Sequence, residues 1–138
     1  MSSATTVPLP GRTSGPIRLL GTEGWKDTGI DVGQGDRVTI EATGTVHHNP
    51  QAGSAVGPDG TPDPSLRKYN VLDKGKLLDG NHAALIAKVG NGDLVIVGQK
   101  GTLVAASPGH VWLGINDQGP DNNSGFFDVM VGIEGPPK

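Results

Sequence analysis

The chain has 138 residues, 23 of them glycine and 11 proline, with 34% hydrophobic residues and a formal net charge of −3. That length fits one domain with a real core, and so much glycine and proline favours a loop-rich all-β domain over a helical one. The basic residues are scattered, which argues against nucleic acid as a partner; the absence of cysteine rules out disulfides, zinc–thiolate sites and cysteine nucleophiles; and no apolar run approaches the ~20 residues of a membrane span.

Residues 1–16 are rich in Ser, Thr, Pro and Gly and read as a flexible leader or linker, leaving 17–138 as the domain. The amino terminus lacks the basic start and apolar stretch of a signal peptide. The expectation is therefore either a cytoplasmic protein exported by an unconventional route or a module of an exported protein. A short apolar run at 17–20 and a second segment at 25–30 are separated by Gly21 and Gly24. After the turn Gly33-Gln34-Gly35-Asp36, residues 37–46 alternate: Val38, Ile40, Ala42 and Val46 share one face, and Arg37, Thr39, Glu41, Thr43 and Thr45 the other. A period of two predicts a half-buried strand.

From 47 to about 76 the pattern breaks over Pro50, Pro58, Pro62 and Pro64 and several glycines, as expected of a long functional excursion with at most a short turn of helix. Regular runs return at 83–89, 94–97, 102–106, 110–115 and 126–133, each bounded by Gly, Pro, Asn or Asp. About eight short strands with such spacing predict an all-β sandwich or barrel. Trp112 is expected on the face opposite Val111, Leu113 and Ile115, free to stack on a sugar, another subunit or a second packed face.

The loop after 110–115 reads Asn116-Asp117-Gln118-Gly119-Pro120-Asp121-Asn122-Asn123-Ser124-Gly125. Calcium takes about 6–8 oxygens from carboxylates, amides and backbone carbonyls, and Asp117, Asp121, Asn122 and Asn123 offer such oxygens where Gly119 and Pro120 turn the chain. The spacing is not that of an EF-hand. The same residue types also suit any tight turn, because they tolerate unusual backbone angles and hydrogen-bond locally. His47 and His48 end the alternating strand, but adjacent residues of a strand point to opposite faces, so the pair is poorly placed to share one zinc or copper ion. His82 and His110 show no obvious partner and read as structural or exposed.

Five landmarks carry a resemblance over about 17–133. They are Trp25-Lys26-Asp27-Thr28-Gly29-Ile30; Gly35-Asp36-Arg37-Val38-Thr39-Ile40-Glu41-Ala42-Thr43-Gly44; Gly57-Pro58-Asp59-Gly60; Ala84-Leu85-Ile86-Ala87-Lys88-Val89-Gly90; and Leu113-Gly114-Ile115-Asn116-Asp117 followed by Asp121-Asn122-Asn123-Ser124-Gly125-Phe126-Phe127. In this order they resemble the calcium-dependent, galactose-binding bacterial lectins of the PA-IL type. The resemblance implies a jelly-roll-like β-sandwich of about eight strands, galactose-binding-domain-like, that holds Ca2+. It assigns the calcium to the side chains of Asp117, Asn122 and Asn123 and to two backbone carbonyls, one matching His48 and one from Gly119, Pro120 or Asp121. Two ring hydroxyls of a galactose-type or related glycan then complete the ion's shell. The sugar-contact candidates are His47, His48, Asp63, Asp117, Gln118 and Asn122. Two departures affect the assignment: the interval from Asp117 to Asn122 is shorter than in the galactose lectin, and Gly60-Thr61-Pro62-Asp63-Pro64-Ser65 stands where that lectin has a His-Pro pair, with Asp63 at the His position.

The expected function is thus a non-catalytic lectin, with a homo-oligomer as the expected assembly. No Gly-x-Ser-x-Gly elbow or phosphate-cradling loop points to an enzyme. The alternatives are a structural or adhesion module with a calcium-stabilised loop, or a carbohydrate-binding module of a larger glycoside-active enzyme.

Overall fold

Strict alternation at 37–46 buries one row of side chains, and that row builds one half of the core. In the computed structural model, which describes residues 11–136, the chain runs β1 (Arg12–Leu20), β2 (Trp25–Val32), β3 (Arg37–His47), β4 (Ala55–Val56), a 3₁₀ segment (Pro64–Tyr69), β5 (Leu72–Asp73), β6 (Lys76–Leu77), β7 (Leu85–Val89), β8 (Val95–Ile96), β9 (Lys100–Val104), β10 (Gly109–Ile115), a 3₁₀ turn (Pro120–Asn122) and β11 (Ser124–Glu134). One sheet has the order β9-β3-β11-β1, with β4 added to β3. The second has the order β2-β10-β7-β8, and β5 and β6 form a separate hairpin. Every pairing is antiparallel.

The two sheets face each other as an all-β sandwich. Val38, Ile40, Ala42 and Val46 of β3 and Phe127, Val129, Val131 and Ile133 of β11 meet Leu85, Ala87 and Val89 of β7 and Val111, Leu113 and Ile115 of β10 in one cluster. Phe127 lies opposite Gly44 in the register, and a Cβ at Gly44 would sit 2.5 Å from the Phe126 carbonyl. Gly44 thus lets the backbone of β11 come closer to β3 than any side chain at that position would allow.

The strands expected from the sequence all form. The leader, however, ends earlier than expected: residues 12–16 belong to β1, where Arg12, Thr13 and Ser14 pair with Ile133, Gly132 and Val131. Their polar side chains concealed a strand whose outer face meets water and whose register against β11 shifts between Val129 and Val131. Residues 1–10, the rest of that leader, lie outside the described residues. The 47–76 excursion contains β4, the 3₁₀ segment and most of the β5–β6 hairpin.

Candidate functional site

The loop of interest leaves β10, a central strand of its sheet, so the core anchors its first residues. Ile115 and Asn116 are fully buried and Asp117 is 6% exposed. Asn116 pins the loop to two distant segments: its Oδ1 accepts the Val71 N–H at 3.0 Å and its Nδ2 donates to the Asn81 carbonyl at 2.9 Å. Asp117 Oδ1 accepts the Gly119 N–H at 2.9 Å, and Oδ2 accepts an N–H from Asn123 Nδ2 at 3.0 Å. Among the described residues no Lys or Arg forms an ion pair with this carboxylate; its one charged-type neighbour is His82, with Nε2 3.8 Å from Oδ2. A buried carboxylate without a compensating cation is costly.

Asn123 sits at the end of the 3₁₀ turn, 6% exposed. Its Nδ2 hydrogens go to Asp117 and to the Gly21 carbonyl at 3.0 Å. Its amide oxygen is buried and has no partner among the described residues. Such oxygens are nearly always satisfied, and a cation beside Asp117 would satisfy this one. No group of three His, Cys, Asp or Glu side chains converges among the described residues. A cation here would therefore take amide, backbone and ligand oxygens beside one carboxylate, the donor chemistry of calcium rather than of zinc. On this test the residues fit the ion.

Beneath the loop lies His82, 2% exposed. Asn70, itself fully buried, uses its Nδ2 hydrogens on the Leu78 and Gly80 carbonyls, both at 2.9 Å. Its Oδ1 therefore faces His82 Nδ1 at 3.0 Å and assigns the ring proton to that nitrogen. Burial pushes the His82 pKa down, the Asp117 carboxylate pulls it up, and His48 adds to the lowering. The His48 ring meets His82 edge-on at 5.5 Å and the Tyr69 ring meets it at 6.1 Å.

His48 lines a cleft of about 270 Å³ together with Asn49, Gln51, Ser54, Thr61 and Asp63. Asp63 caps the Pro64–Tyr69 segment by accepting the Ser65 hydroxyl at 2.8 Å and the Ser65 N–H at 3.0 Å. These bonds, the hydroxyl's first, hold its carboxyl below the usual value, with a smaller contribution from His48.

Of the residues singled out by sequence, Asp117 and Asn123 come together, and His48 and Asp63 share the neighbouring cleft. Pro120 has its carbonyl engaged by the Asn123 N–H at 2.9 Å. Asp121 and Asn122 are exposed on the 3₁₀ turn. Gln118 is exposed but tied down: its N–H reaches the Tyr69 carbonyl and its Nε2 the Asn70 carbonyl, both at 2.7 Å. His47 is exposed at the end of β3, paired with Ser124 and Ala55. Trp112 stands on the outer face of the second sheet, where Lys88 Nζ lies 5.7 Å from its ring and 4.6 Å from the Trp25 ring. Asn70, the bracing role of Asn116, Gly21 and the role of His82 are not legible in the sequence. Each acts through a partner far along the chain, and no local spacing signals that.

No known family profile matches the chain, and no curated protein does. Among solved structures it is similar to one described as EclA N-terminal domain, a PllA-like lectin, with a TM-score of 0.62 and 20% sequence identity over 92% of this chain and 98% of that one. What the two share at that identity is the sandwich fold.

Proposed function

We propose that the protein is a non-catalytic, calcium-dependent carbohydrate-binding protein that recognises galactose or a related sugar through a bound calcium ion. One observation carries this reading: a buried carboxylate, Asp117, hydrogen-bonded to an Asn123 side chain whose own buried oxygen has no partner. Asp117 and Asn123 supply side-chain oxygens to the ion, with Asn122 and backbone carbonyls at His48 and in the 119–121 turn as the remaining protein donors. Calcium supplies a Lewis-acidic centre to which neutral vicinal hydroxyls bind in place of two waters. The chain's own groups then orient the sugar. Asp117 and Asn122 hydrogen-bond the coordinated hydroxyls, and His48 and Asp63 line the cleft that receives the rest of the ring. The solved lectin with the same sandwich supports sugar binding over a catalytic role.

A glycan array run with calcium and again with a chelator tests the reading. Binding to galactosides that the chelator removes is the expected result; silence on every glycan in both conditions refutes it. The burial of Asp117 and Asn123 also favours a second reading, in which the ion only stiffens the loop of a structural module. Calcium-dependent stabilisation without any glycan binding would select that one. A homo-oligomer would present several weak sites together and so gain avidity; a monomeric mass in solution would remove this part of the proposal.

A further inference from the structure

A sugar held by two hydroxyls on a cation still presents a C–H face, which is most stable against an apolar wall. The chain has two Trp, two Phe and one Tyr to offer. Phe127 is fully buried. Phe126, under Arg18, is half-buried, and Trp25 and Trp112 are half-buried on the outer face of the second sheet, both beside Lys88. Tyr69 alone is both open, at 50% exposure, and beside the Asp117 loop.

Its position is fixed rather than incidental. The Tyr69 carbonyl accepts the N–H of Gln118, the residue next to Asp117, at 2.7 Å. Its ring packs edge-on against buried His82, and His82 Nε2 reaches to 3.8 Å from the Asp117 carboxylate. From another side His82 meets His48, which lines the cleft containing Asp63. His82 therefore has two ring neighbours, His48, which lines that cleft, and Tyr69. Lys68 Nζ lies over the Tyr69 ring, 5.2 Å from its centroid, so what sets Tyr69 apart from Phe126, Trp25 and Trp112 is its exposure and its bond to the Asp117 loop, not freedom from a cation.

We infer that Tyr69 is a specificity-determining residue of the sugar site, its ring forming the apolar wall against which the C–H face of the bound pyranose packs. The inference rests on the proposed calcium-dependent sugar site. It names as favoured ligands those pyranosides with an unbroken C–H face, as galactose has over C3, C4 and C5, because an aromatic ring gains from contact with such a face and loses where a hydroxyl interrupts it.

Tyr69 is the chain's single tyrosine, so its ring protons are resolvable without a mutant. With calcium present, methyl α-galactoside should shift those signals, and irradiating them should transfer saturation to the sugar's C–H protons. Tyr69→Ala should weaken methyl galactoside binding about five- to tenfold, while Tyr69→Phe stays near wild type and the calcium midpoint is unchanged in both. The inference is overturned if Tyr69→Ala binds methyl galactoside like wild type, if it loses calcium affinity in step, or if only an aryl galactoside loses affinity, which would make Tyr69 an aglycone contact. If wild type binds no glycoside at all, the sugar-site reading falls as well, so the two failures are distinguishable.

Discussion

Replacing Asp117 by Asn keeps the shape of the side chain and removes its charge. The carboxylate accepts one N–H on each oxygen, from Gly119 and from Asn123. An amide has one accepting oxygen, so the Asp117→Asn variant loses one of the two bonds, a cost of about 1.5–3 kcal/mol for a bond to a charged group. The same change relieves the desolvation of a carboxylate that is 6% exposed. The two effects oppose each other, so stability without calcium should change little. The calcium-linked part should disappear. An ion present at about 100 times its Kd stabilises the native state by about 2.7 kcal/mol. At about 2.1 cal/mol/K per residue, a chain of 138 residues has an unfolding entropy of about 0.29 kcal/mol/K, so wild type should gain about 9 °C in Tm. Differential scanning calorimetry with calcium and with chelator measures both proteins. A calcium shift in Asp117→Asn as large as in wild type would refute the assignment.

Other substitutions separate the parts of the site. Asn123→Ala removes the bonds to Gly21 and Asp117 together with the unpartnered oxygen; calcium affinity measured by titration calorimetry should fall roughly 10–100-fold, and sugar affinity should fall with it. Asp63→Ala should weaken galactoside binding while the calcium midpoint stays in place; a loss of calcium affinity would mean that the Pro64–Tyr69 segment braces the ion loop. His110, away from the site, is hydrogen-bonded to Asp27 and paired with Asp31 at 3.0 Å, and these carboxylates, Asp27 first, raise its pKa. A raised folded-state pKa gives stability that is fully present below the unfolded value near 6.5 and is lost as pH rises through the folded value. His110→Gln should therefore flatten the decline in Tm between about pH 6 and 8, and an unchanged slope would contradict this.

How much the sequence disclosed follows from how local each signal is. The face of β3 was legible because alternation is written into consecutive residues, and Val38, Ile40, Ala42 and Val46 are all buried. The strand before the Asp117 loop was legible for the same reason, and the loop stood out by its concentration of oxygen donors. The start of β1 was not, since Thr13 and Ser14 are turn-like residues held in a strand by pairing with Gly132 and Val131 of β11, more than a hundred positions away, with Gly15 and Pro16 at the register shift that follows. His82 shows the same limit. Its surroundings look unremarkable along the chain, yet Asn70 and Asp117 converge on it from two other segments. Gln118, a sugar-contact candidate by resemblance, is tied to Tyr69 and Asn70 by two hydrogen bonds that no local pattern announces. Tertiary pairing, not local propensity, decides such residues.

Whether one calcium ion links this loop to a sugar is tested most directly by a crystal structure grown with calcium and methyl α-galactoside. The expected result is an ion about 2.3–2.6 Å from an Asp117 oxygen and from Asn123 Oδ1, with two vicinal sugar hydroxyls in its shell. Sugar bound away from the Asp117 loop, or bound there with no ion between, would contradict it.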